Sequence, residues 1–106
     1  LTKLVWSENA FRALSRIEEY LSEFNINASQ KVVNRLINRA EVLTEHPQIG
    51  RIVPELGVEN IRELIEGNYR IVYRITKEGI QILTVFHYRR LLSKKDISNP
   101  EINSSF

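Results

Sequence analysis

The chain has 106 residues, 42% of them hydrophobic, with no cysteine and a formal charge of +2. That length suits one domain with a real core, and the composition excludes a disordered chain, a disulfide scaffold and a thiolate metal site. No apolar run approaches the roughly 20 residues of a membrane span, and no signal-peptide layout opens the chain. The cytoplasm is therefore the expected compartment, with no membrane partner.

The charge is unevenly spread. Residues 1–50 carry six Lys/Arg and six Asp/Glu, whereas residues 67–95 carry seven basic residues against one acid, Glu78, a local excess of +6. Such an excess points to an anionic partner, either nucleic acid or an acidic protein segment. A charge run is more often a solvated face, but clustering on strand-like sequence makes that plain meaning less comfortable.

In chain order, residues 2–6 read as a short strand. Ser7 then offers a helix N-cap, and Glu8 places a carboxylate in the first turn, where it favours the helix dipole. Phe11, Leu14, Ile17, Leu21 and Phe24 follow at spacings of three and four, predicting an apolar stripe on an amphipathic helix. Asn25-Ile26-Asn27 breaks it. A second helix is predicted from Asn27 or Ser29, with Val33, Leu36, Ile37, Ala40 and Leu43 as its buried stripe. It ends at His46-Pro47, because a residue before proline is pushed out of the helical region. So short a link makes the two helices an antiparallel hairpin. Lys31, Arg35 and Arg39 lie away from the apolar stripe and read as a solvated face.

Residues 47–60, with two prolines and two glycines, predict a structured loop. The pattern then switches to strands over 61–66, 69–76 and 80–88. Gly67-Asn68 makes the first hairpin turn and Lys77-Glu78-Gly79 the second. The polar residues 93–106 form a tail outside the domain, which spans residues 1–92. The order strand, helix, helix, strand, strand, strand predicts an α+β fold in two layers. A helical hairpin covers one face of a mostly antiparallel four-stranded sheet, and the other face is left open. Leu14, Leu36, Ile71 and Phe86 are expected between the two layers.

Alternation in 69–76 sends Arg70 and Arg74 to the open face. In the last strand Leu83, Val85, His87 and Arg89 should share one face, and Ile82, Thr84, Phe86 and Tyr88 the other. Arg70 and Arg89 could then converge on one groove, with His87 or Tyr88 at its edge, as a clamp for phosphate or carboxylate. Imidazole can move protons near neutral pH, but a lone histidine at a strand end is more often structural, and His87 is read so. His46 reads as a capping cation. Two distant histidines make no metal ligand set, and no glycine-rich phosphate loop or nucleophile motif occurs, so no cofactor is expected.

The run over residues 45–92 (EHPQIGRIVPELGVENIRELIEGNYRIVYRITKEGIQILTVFHYRRLL) resembles the RelE/ParE toxin superfamily, and its plasmid-stabilisation, ParE-like branch most of all. The matching pieces are the "HPQIGR" loop, the "IREL…GNYRIVYRI" hairpin and "ILTVFHYRRLL". The opening "VWSENAFRALSRIEEYL" is also similar to the family's first strand and helix. The resemblance implies a growth-inhibiting toxin neutralised by a cognate antitoxin whose extended tail wraps it. ParE-like members inhibit DNA gyrase; RelE-like members are metal-independent endoribonucleases that cleave mRNA on the ribosome.

Arg70 and Arg89 match positions that RelE-like nucleases use to hold phosphate. Ile61 and Glu63 stand where those nucleases carry lysines, and the tail has no tyrosine matching the family's late one. These departures imply gyrase as the target, with mRNA interferase, or a non-toxic antitoxin-binding module, as alternatives. Arg70, Arg89, His87 and Tyr88 are the candidates for a nuclease site. Arg70, Arg74, Arg89 and Arg90 are the candidates for binding target or antitoxin.

Overall fold

The computed structural model describes residues 2–89. Strand β1 (Leu4–Trp6) leads into helix α1 (Glu8–Ser22), and helix α2 (Ile26–Glu41) runs on through a single 3-10 turn at Val42–Thr44. Strand β2 (Arg51–Ile52) precedes β3 (Ile61–Glu66), β4 (Tyr69–Thr76) and β5 (Gly79–His87). The sheet order is β1-β5-β4-β3-β2, with β1 parallel to β5 and the other pairs antiparallel.

Both helices begin as their sequences require. Ser7 Oγ accepts from the Ala10 amide at 3.0 Å and donates to the Leu83 carbonyl at 3.3 Å, so one hydroxyl caps α1 and pins its start to β5. Asn25 Oδ1 accepts from the Ala28 amide at 3.0 Å, which starts α2 at Ile26, slightly ahead of the expected position. Gly67, at φ 58°, supplies the left-handed residue of the β3–β4 turn.

The sheet has five strands, not the four expected. β2 is drawn from the 47–60 loop and pairs Arg51 with Glu63 and Ile52 with Arg62. Two residues are too few to show a period, and Pro47 and Pro54 flank them, so sequence pattern could not reveal this strand.

The helical hairpin covers one face. Leu14, Leu36, Ala40 and Leu43 pack there on Leu64, Ile71, Tyr73, Ile80, Ile82 and Val85. Phe11 and Phe24, expected in the buried stripe of α1, are 58% and 73% exposed; only the middle of the stripe meets the sheet. The opposite face, expected open, is partly covered. Val53 and Leu56 from the loop after β2 pack on Ile61, Val72, Leu83 and Phe86. Phe86 therefore lies beneath the loop and not between the two layers.

A β-bulge causes that reversal. Val72 pairs with Thr84 but Tyr73 pairs with Ile82, which leaves Leu83 as an extra residue. Strict alternation fails there. Leu83 parts from Val85, and Ile82 parts from Phe86, because one inserted residue changes which face the following side chains occupy.

Candidate functional site

Arg70 leaves β4 on the loop-covered face and is 4% exposed. Its Nε donates to Glu63 Oε1 at 2.7 Å, and its Nη2 lies 2.5 Å from the same oxygen. Nη1 and Nη2 donate to the two oxygens of Glu55, both at 2.8 Å, while the guanidinium lies 5.0 Å from the centroid of the Phe86 ring. Glu63 itself is 1% exposed, and its other oxygen accepts from Arg51 Nε at 2.5 Å. Two arginines and two carboxylates thus form a chain of charge-assisted bonds linking β2, β3, β4 and the loop. The Glu55 bonds hold Arg70 more firmly protonated than usual; burial opposes this and Glu63 adds to it.

Arg74, four residues on along the same face, is also buried. Its Nη2 donates to Gln81 Oε1 at 3.0 Å, and burial lowers its pKa. Arg90 lies outside the described residues.

Arg70 and Arg89 do not share a groove. Arg70 pairs across the sheet with Phe86, whereas Arg89 lies beyond the end of β5. There its guanidinium sits 5.7 Å from the centroid of the Tyr88 ring, and its Nε donates to the Tyr88 hydroxyl at 3.2 Å. His87 projects to the helix side, opposite Tyr69. Its ring stacks on Tyr88 with centroids 5.3 Å apart and meets the Tyr69 ring edge-on at 6.1 Å. His87 Nδ1 accepts from the Arg89 amide at 3.3 Å.

Beside this cluster, a groove of about 450 Å³ runs between α1 and the end of the sheet, where Arg16 and Tyr20 face Tyr69 and His87. Burial raises the Tyr69 pKa, and the neighbouring Tyr20 adds to the shift. Among the described residues no group of three His, Asp or Glu side chains is placed to hold a metal ion.

Sequence reasoning missed Glu55, Arg51, Arg16 and Tyr20. One signal was present: Glu63 shares its strand face with Ile61 and Ile65, so a carboxylate held an apolar position in a strand. A charge there calls for a buried cation opposite it.

Comparison with known proteins agrees with this architecture. The family model described as "ParE toxin of type II toxin-antitoxin system, parDE" matches residues 4–92. Toxin RelE2 of Caulobacter vibrioides is 30% identical over 92 residues, covering 86% of this chain and all of that protein. Among solved structures, the chromosomal ParDE toxin–antitoxin system of P. aeruginosa superposes with a TM-score of 0.69 at 22% identity, covering 81% of this chain and 95% of that one. The toxin–antitoxin complex RelBE2 of Mycobacterium tuberculosis gives 0.61 at 20% identity, covering 81% and 96%. At those identities the structural likeness speaks for the fold; the family match spans most of the chain. The chain belongs to the ParE toxin family of type II toxin–antitoxin systems.

Proposed function

We propose that this toxin arrests growth by binding and inhibiting DNA gyrase, without cutting RNA, and that a cognate antitoxin neutralises it. The observation that carries the reading is the state of Arg70. A metal-independent nuclease needs cationic donors turned toward the phosphate, where they meet the developing charge, and losing one such donor costs about 2.7–4 kcal/mol of barrier. Here the donors of Arg70 are directed at Glu55 and Glu63 of the same chain. Ile61 is part of the apolar cluster under the loop, and Glu63 adds a buried negative charge. On the face that would have to attract a phosphodiester, Glu55 and Glu63 offset the charges of Arg51 and Arg70.

The partner reading draws on the named relatives, two of which are toxin–antitoxin assemblies. The competing reading, a ribosome-dependent mRNA interferase, draws on the His87–Tyr88–Arg89 cluster, which holds an imidazole and a guanidinium together in the open. The deciding experiment adds purified protein to a gyrase supercoiling assay and, separately, to translating ribosomes. Loss of supercoiling with intact mRNA is the expected result. Codon-specific cuts that vanish in His87→Ala, with supercoiling untouched, would reverse the choice.

A further inference from the structure

Helix α2 turns its buried residues, Ser29, Val33, Leu36 and Ala40, toward α1 and the sheet. At 3.6 residues per turn, the crest opposite them falls to Asn27, Asn34 and Asn38, and all three are exposed. Lys31, Arg35 and Arg39 follow one another along the flank of that crest. Spaced by four residues, they stand about 6 Å apart along the axis, about 12 Å from first to last. Lys31 and Arg35 are exposed and Arg39 is partly buried. The gyrase reading rests on the other face of the sheet and uses none of these residues.

The signal here is segregation of charge along one element. From Ile26 to Ala40 the helix carries these three cations and neither Asp nor Glu, whereas α1 mixes Glu8, Glu18 and Glu19 with Arg12 and Arg16. Glu66 borders a small pocket beside Arg35, but the two form no ion pair.

Such a face suits one kind of partner. An evenly spaced row of cations complements a regular line of phosphates. The helix has no aromatic side chain, so it offers nothing on which unstacked bases could lie. A protein seat would carry apolar or aromatic anchors at its centre. This crest carries asparagines instead, whose amides donate and accept together and so match the edge of adenine. The major groove of B-form DNA, about 12 Å wide, admits an α-helix, whereas that of A-form RNA is too narrow.

We propose that the outer face of α2 binds duplex DNA in the major groove, with Asn27, Asn34 and Asn38 toward base edges and Lys31, Arg35 and Arg39 on phosphates. The contact requires neither gyrase nor catalysis.

The test measures fluorescence anisotropy of a short labelled DNA duplex of mixed sequence, titrated with the full chain at several salt concentrations. Saturable binding is expected, with a salt slope of about −2.7 for three phosphates, so a fourfold rise in salt weakens it about 40-fold. Lys31→Gln and Arg35→Gln should each reduce that slope by about 0.9. Asn34→Ala should weaken binding by about tenfold and leave the slope unchanged. Lys77→Gln, beyond the end of β4 farthest from the Arg35 pocket, should leave affinity within about twofold.

Binding whose slope survives replacement of all three cations would overturn the proposal. Tighter binding of the matching single strand or of an RNA duplex would do the same, as would no binding by a chain whose melt is normal. An acidic peptide that binds more tightly than the duplex, and is released by the same substitutions, would make the face a protein seat and also overturn it. The altered side chains lie off the buried stripe, so matched melting curves separate lost contact from lost fold. Gyrase is absent from this assay. A chain that inhibits supercoiling but ignores bare duplex would keep the gyrase reading and lose this one.

Discussion

Arg70 Nε donates to Glu63 Oε1 at 2.7 Å across the β3–β4 pair, and both side chains are almost wholly buried. A buried ion pair gains little over apolar residues of the same shape, but breaking one side of it is expensive. Glu63→Ala should therefore destabilise the fold by about 3–5 kcal/mol in a urea titration. Replacing both partners together, Glu63→Leu with Arg70→Met, should recover most of that loss. If the double variant is as unstable as the single one, the pair is not where the cost arises.

Phe86→Ala and Ile71→Ala should both destabilise, by about 3–5 and 2–5 kcal/mol. Their local effects should differ, because the two residues lie on opposite faces of the sheet. Hydrogen exchange should quicken in residues 53–57 for Phe86→Ala and in the helical hairpin for Ile71→Ala. The same pattern in both variants would contradict the bulge-driven placement of Phe86.

Gly50 lies against the Tyr73 side chain of β4 and the Glu63 backbone of β3. Its amide donates to the Tyr73 hydroxyl at 2.9 Å, and that hydroxyl donates to the Pro47 carbonyl at 2.8 Å. A Cβ at Gly50 would stand 2.5 Å from the same hydroxyl and 2.6 Å from the Glu63 carbonyl oxygen. Gly50→Ala should lower Tm by several degrees, roughly what 1–2 kcal/mol produces in a domain of this size. An unchanged melt would mean that the loop shifts freely, contrary to its hydrogen bonding.

Burial raises the Tyr73 pKa, against the opposing effects of the Gly50 amide and Arg62. The folded chain therefore keeps this proton at pH values where the unfolded chain releases it. The associated stability is fully present below the ordinary tyrosine value of about 10 and is lost as pH rises through the higher folded value. Unfolding free energy should fall between pH 9 and 11, and Tyr73→Phe should flatten that fall. An equally steep slope in the variant would assign the effect to other groups, Tyr69 among them.

The parts of this fold that were legible in the sequence are those with long periods. The middle of the α1 stripe, the cap at Ser7 and the hairpin turn at Gly67 follow from local chemistry, whereas Asn25 read only as a break between the helices and proved to be the cap of α2. The face carrying Arg70 was legible too, by alternation along β4. What alternation could not supply was the single extra residue at Leu83, which no local signal marks and which decides where Phe86 points. The partners of Arg70 were equally hidden. Glu55 lies fifteen positions upstream in an irregular loop, and only the folded chain brings the two together.

The parallel pairing of Leu4 with Ile80 sets the order of events during synthesis. β1 is made first, yet its neighbour β5 is the last strand among the described residues to emerge. Until then the helical hairpin has only part of a sheet to cover, and the first strand has no edge to join. Closing a contact over 76 positions is slow by the standards of helical domains. A message broken anywhere between the codons for Trp6 and Ile80 therefore yields chains whose β1 stays unpaired, and the finished domain comes only from ribosomes that read through β5.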